Sequence, residues 1–184
     1  VALQGKTIAG YAVAIENVAT GRQTLNTELL TALTETVAGM TNGTQTTGVL
    51  LTGLGDVAFK TTYEKWVGEH ASASENLSAW YIPTLSQLSA FMGTLFTMKD
   101  VPATGSEDFK NIPEFEFVNG KMFDRETIAT VNYASSTINN QGNVSGVRIN
   151  VADGVVTNAQ EAGISVKTAL NQQALCRPMI TIFK

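Results

Sequence analysis

Apolar and polar positions along this chain follow two rhythms, one of period two and one near 3.6, and the changes between them mark its elements. Thr7 to Val18, TIAGYAVAIENV, is rich in β-formers and alanine and predicts a first strand near the start of the chain. Asn26 or Thr27 can cap a short helix through LLTALTETVAGM, with Leu29, Leu33 and Val37 as its apolar stripe. A polar linker, TNGTQTTG, and the apolar run Val49 to Leu51 follow. A second helix is predicted over Asp56 to Val67, with Asp56 as cap and Val57, Phe59 or Lys60, Tyr63 and Val67 near one face.

The nonamer Trp80 to Leu88, WYIPTLSQL, starts a third helix in the clearest way. Pro83 has a fixed φ and no N–H and biases Ile82 toward extended backbone, so Trp80 to Ile82 is predicted extended. Thr84 and Gln87 then have the spacing of a capping box, each side chain satisfying the other's backbone N–H. Leu85, Leu88, Met92 and Leu95 share one helical face. Lys99 to Lys121, with Pro102, Pro113 and two glycines, is irregular and reads as a long surface excursion. Strand-like runs close the chain: Thr127 to Tyr133, Val144 to Ala152, and Val155 to Asn158 across Asp153-Gly154, a type I′ hairpin signal. Ala174 to Phe183 is a last strand, which Pro178 places at an edge or a bulge. Helices and strands kept in separate runs argue for an α+β fold, in one domain over residues 1–184.

With 43% hydrophobic and 15% charged residues the chain reads as a soluble globule. No apolar run reaches the ~18 residues of a membrane span. The net charge of −4 lacks the basic footprint of a nucleic-acid binder. A start at Val1 suits a processed protein or a piece cut from a longer one. Cys176, the sole cysteine, can form neither an intrachain disulfide nor a multi-cysteine zinc site, and its apolar neighbourhood suggests a buried, inert thiol.

Several segments, taken in order, resemble the C-type-lectin-like domains of fimbrial and cell-surface proteins in gut Bacteroidetes and relatives. They are GYAVAI (Gly10 to Ile15), TNGTQTT (Thr41 to Thr47), WYIPTLSQL, YASST (Tyr133 to Thr137), a hairpin from Val147 to Val155, and CRPMITIF (Cys176 to Phe183). Tyr133 stands where that family usually has tryptophan, and Asn and Gln fill Ile138 to Asn143 where it often has another aromatic. The resemblance implies a mixed or antiparallel sheet with first and last strands paired, two to three helices packed on it, and a long loop region that displays a variable surface.

The calcium-dependent sugar motif of true C-type lectins, Glu-Pro-Asn or Gln-Pro-Asp, occurs at none of the four prolines, so no metal or cofactor is expected. Formylglycine-generating enzymes share the broad fold and use a pair of cysteines, against the single Cys176. Gly53 to Ala58 fits G-x-G-x-x-A, follows the apolar run Val49 to Leu51 and precedes a helix, so it can cradle a pyrophosphate, although Asp56 would set a negative charge beside the phosphates and the second half of the chain lacks alternating βα units. His70 lacks a histidine partner and reads as a solvated loop residue, Glu114 and Glu116 read as solvated carboxylates, and Trp66 and Trp80 read as core. The binding candidates are Asn132, Tyr133, Asn139, Asn140, Gln141 and Asn143, in an expected loop from Asn132 to Ser145. They offer adaptable hydrogen bonds and a stacking ring, while Asn and Gly are also ordinary turn formers.

The expectation is a non-catalytic extracellular binding or adhesion module of a bacterial surface or fimbrial protein, taking a protein or glycan ligand on a cell surface, with no nucleic acid and no membrane insertion. The alternatives are a receptor-binding or sequence-diversified domain of a phage or mobile element, and a nucleotide-dependent enzyme using the Gly53 to Ala58 turn.

Overall fold

The computed structural model describes residues 2, 3, 5–19, 23–25, 30–33, 40–97, 130–150, 164–167, 170 and 173–184. The predicted excursion Lys99 to Lys121, the Asp153-Gly154 turn, the cap at Asn26 or Thr27, and Leu29, Val37, Glu114 and Glu116 lie outside these residues. The strands are β1 (Ala2–Leu3), β2 (Lys6–Val13), β3 (Gln23–Thr24), β4 (Thr130–Ile138), β5 (Val144–Asn150), β6 (Ile164–Lys167), β7 (Gln173–Ala174) and β8 (Met179–Phe183). The helices are α1 (Gly43–Leu54), α2 (Ala58–Glu69) and α3 (Leu85–Thr97), and Leu30–Leu33 forms a 3₁₀ turn. The fold is α+β, and among the described residues the strands pair antiparallel, with a single parallel bridge between Tyr133 and Leu175.

The first long strand lies against the last: β2 pairs with β8 from Ile8↔Phe183 to Val13↔Met179, with an irregularity between Ile8 and Gly10. The C-terminal run does more than end the chain. Gln173 and Ala174 pair with β3, Leu175 exchanges hydrogen bonds with Asn132 and Ala134 of β4, and Met179 to Phe183 pair with β2. On the other side of β8, Leu77 and Tyr81 bridge Ile182 and Met179, so the extended stretch before Pro83 continues the sheet. Pro178 sits just ahead of β8 and splits the predicted single strand, its carbonyl accepting from the Ala14 N–H at 2.9 Å. The core gathers Leu25, Leu30, Leu50, Leu54, Phe59, Tyr63, Ile82, Ala134, Ile138 and Val144 between the helices and the β4–β5 layer.

Helix α1 overturns the expected polar linker at TNGTQTTG. Asn42 Oδ1 accepts from the Thr44 N–H at 2.9 Å and caps the helix. Gly43, Thr46, Thr47, Leu50 and Leu54 are its buried face, spaced at three and four residues, with threonine methyls standing where an apolar pattern would show aliphatic side chains. The hydroxyls that would compete with the helix are bonded back instead, Thr47 to the Gly43 carbonyl at 2.7 Å and Thr52 to the Gly48 carbonyl at 2.9 Å. Asn42→Ala is expected to lower stability by about 1 kcal/mol, read from urea unfolding midpoints at an unchanged slope.

Two further corrections concern caps and register. Val57 precedes α2 without a side-chain cap, so Asp56 does not cap it, and the buried stripe is Phe59, Tyr63 and Trp66. A two-residue turn at Asp153-Gly154 would set Ile149 opposite Asn158, but Ile149 faces Ile164 across β5 and β6. Helix α3 starts as the capping box predicts, with the Gln87 N–H donating to Thr84 Oγ1 at 3.3 Å and the Thr84 N–H donating to Gln87 Oε1 at 3.1 Å. Leu88 is buried on it.

Candidate functional site

The short polar residues of four sequence segments meet around Pro83. Thr47 Oγ1 accepts the Ile82 N–H at 2.9 Å, and Ser136 Oγ donates to the Ile82 carbonyl at 2.8 Å while bonded to Thr46 Oγ1. The Ser136 N–H donates to the Pro83 carbonyl at 2.8 Å, and Thr137 Oγ1 accepts the Leu85 N–H at 2.9 Å. Gln87 closes the cluster: its Oε1 also takes the Gly43 N–H at 2.9 Å, and its Nε2 donates to the Tyr81 hydroxyl at 3.1 Å. Thr181 from β8 donates to the same tyrosine oxygen at 3.1 Å. TNGTQTT, WYIPTLSQL, YASST and CRPMITIF thus form one buried network that locks α1, α3, β4 and β8 together. Buried hydroxyls satisfied in this way specify packing.

Burial sets the ionisation of this interior. Desolvation pushes the Tyr81 hydroxyl up to about 12, offset in part by its bonds to Thr181 and Gln87. Tyr63, whose hydroxyl donates to the Trp80 carbonyl at 2.9 Å, is pushed up by the same cause. Burial also drives the Cys176 thiol well above its usual value, with the Arg177 cation pulling the other way, so it stays protonated in the fold. A tyrosine whose pKa rises on folding contributes stability that is complete below its unfolded value of 10 and is lost as the pH rises toward its folded value of about 12. Tyr81 alone corresponds to a loss on the order of 3 kcal/mol across that window. The melting temperature is expected to fall steeply there, together with tyrosinate absorbance, and a flat profile would exclude the coupling.

The six sequence-chosen binding residues separate. Tyr133 is 0% exposed, pairs with Val147 and lies near enough to Arg177 to bear on its ionisation, so it offers no stacking ring at the surface. The expected loop is a hairpin: β4 runs on to Ile138, and only Asn139 to Asn143 turn. Asn132, half-buried in β4, accepts from Arg148 Nε at 3.0 Å. Asn139 builds the turn, its Oδ1 accepting the N–H groups of Gln141 and Asn143 at 2.9 Å each, while Gly142 supplies a φ of 80°. Asn143 is half-buried, and Asn140 and Gln141 at the tip are exposed.

The other candidates also resolve. Val49 to Leu51 belong to α1, so Gly53 to Ala58 joins two helices and lacks the strand that a dinucleotide turn requires. His70 is exposed yet held: it stacks on Trp66 at 4.2 Å, and its Nδ1 lies 2.8 Å from the Trp66 carbonyl, which can only accept, so Nδ1 carries the proton. Trp66 is buried and meets the half-buried Trp80 edge-on at 5.4 Å. Among the described residues, no group of three His, Cys, Asp or Glu side chains gathers, and no helix is long and apolar enough to cross a membrane. Comparison with family models, curated proteins and solved structures gave no match.

Sequence reading missed Arg177, the largest fully buried side chain among the described residues. Its Nε donates to Asn17 Oδ1 at 2.9 Å and its NH1 group to the Ala14 carbonyl at 3.1 Å. Burial lowers its pKa, and Tyr133 and Glu16 oppose that shift. An arginine before Pro178 inside an apolar run is the one signal the sequence carries for this.

Proposed function

We propose that the chain is a C-type-lectin-like, non-catalytic binding module displayed outside a bacterial cell, with a protein or glycan ligand on another surface. The observation that carries this reading is the pairing of β2 with β8, which brings the first long strand and the last together. It is the arrangement that the resembling segments imply. The network around Pro83 supports it too: the side chains of Thr46, Thr47, Ser136 and Gln87 are committed to holding elements together, which suits a scaffold.

Within the hairpin, Asn140 and Gln141 are the groups presented to a ligand, and Asn139, Asn143 and Asn132 shape their support. A glycan and cell-surface-protein array is the test, repeated with Asn140→Ala and Gln141→Ala. The expected result is a discrete set of ligands whose retention falls in both variants while the melting temperature stays unchanged. Retention equal to the parent chain would remove the hairpin tip from the site. A hydrolase or transferase activity lost on replacing one side chain would remove the non-catalytic reading.

A further inference from the structure

Two neighbouring residues at the start of α1 are each fixed by packing. Position 43 is held to glycine, because a Cβ there would run into the Ile82 carbonyl and the Tyr81 ring. Position 42 caps the helix, and Asn42 does so with one oxygen, its Oδ1 accepting from the Thr44 N–H and from Thr44 Oγ1 at 2.9 Å each. Capping and close approach thus set side by side the two residues whose junction a free polypeptide loses most readily. Asparagine is thermolabile, and with no Cβ on the residue after it nothing hinders attack of that residue's backbone nitrogen on the carboxamide. The sequence has this dipeptide at one other place, Asn119-Gly120, which lies outside the described residues.

We propose that Asn42-Gly43 is a modification site opened by unfolding: inert while α1 is seated, it converts to isoaspartate once the start of α1 comes free, and the converted chain cannot seat α1 again. The step needs only water. The Gly43 nitrogen gives up its proton and bonds to Asn42 Cγ, the Cγ–Nδ2 bond breaks, and Nδ2 leaves as ammonia with that proton. Water then opens the five-membered imide at either carbonyl, giving aspartate or, with the main chain rerouted through the side chain, isoaspartate. Nothing is oxidised or reduced.

In the fold the first bond cannot form. The Gly43 N–H is held by Gln87 Oε1 at 2.9 Å, the carboxamide is turned onto Thr44, and Asn42 is 5% exposed on extended backbone, φ −124° and ψ 135°. Closing the ring has to bare the Gly43 nitrogen and swing the carboxamide off Thr44, so it waits for local opening. The same close fit makes the product incompatible. Isoaspartate adds a methylene to the main chain directly ahead of Gly43, where not even a Cβ has room, and it leaves a capping arm one carbon shorter.

The test holds the full chain at neutral pH, folded in buffer or unfolded in urea, and maps its peptides by mass spectrometry with electron-based fragmentation, which tells isoaspartate from aspartate. In urea Asn42 is expected to convert at the pace of Asn119. In the folded chain conversion at Asn42 is expected to be slower by on the order of 10³-fold or more, the factor set by the small fraction of time that a stable fold spends open. After dilution from urea, the refolded fraction separated by gel filtration is expected to be free of isoaspartate at position 42, which collects in the chains that stay unfolded. Conversion of Asn42 as fast in the folded chain as in urea overturns the proposal. So does isoaspartate at position 42 in the refolded fraction at the proportion it has in the whole sample.

Discussion

Arg177→Met is expected to destabilise the chain by about 2–5 kcal/mol, from roughly 1–3 kcal/mol for each of two acceptors left without a donor. The guanidinium is 1% exposed and holds two distant points of the chain, Ala14 and Asn17, to the stretch leading into β8. Methionine fills part of the volume and donates nothing, so the Ala14 carbonyl and Asn17 Oδ1 both lose a charge-assisted bond. Lysine keeps the charge but not the planar fork, so Arg177→Lys should recover only a minor part. Urea denaturation followed by tryptophan fluorescence measures both. If Arg177→Met fell within 1 kcal/mol of the parent, Arg177 would not be the clamp between the β2 end and the β8 approach.

The second large effect is a pair of opposite sign within one helix. A Cβ at Gly43 would run into the Ile82 carbonyl and the Tyr81 ring, whereas at Gly48 it meets open space. Ile82 cannot shift to make room, because Thr47 and Ser136 hold its N–H and its carbonyl at 2.9 Å and 2.8 Å. Gly43→Ala is therefore expected to cost about 3 kcal/mol, the upper end for overpacking against a fixed neighbour. Gly48→Ala should stabilise by about 0.5–1 kcal/mol, since alanine in an exposed helix interior loses less backbone entropy than glycine. Thermal melts of the two variants decide it. Equal shifts would mean that α1 does not approach Ile82 so closely.

The capping box at Thr84 and Gln87 and the β-rich runs at both ends were readable because they depend on neighbours in sequence. Helix α1 was not readable as a helix. Its buried face is built on Thr46 and Thr47, whose hydroxyls are silenced by partners as distant in sequence as Ser136 and Ile82. The same limit governs the binding candidates. Asn139 is a turn former by local chemistry, but Tyr133 looks like a surface aromatic until β4 is set beside Leu175 and β5.

Local chemistry along the sequence was thus sufficient for an α+β chain with a strand near each end and a capped helix after Pro83, because φ restriction, capping and period-two runs act over a few residues. Only the tertiary structure decided that the two end strands pair, that four polar segments close into one network, and that Arg177 and Tyr133 are interior while Tyr11 is exposed. Burial and long-range hydrogen bonding are properties of what lies opposite a residue, and the chain alone does not say what that is.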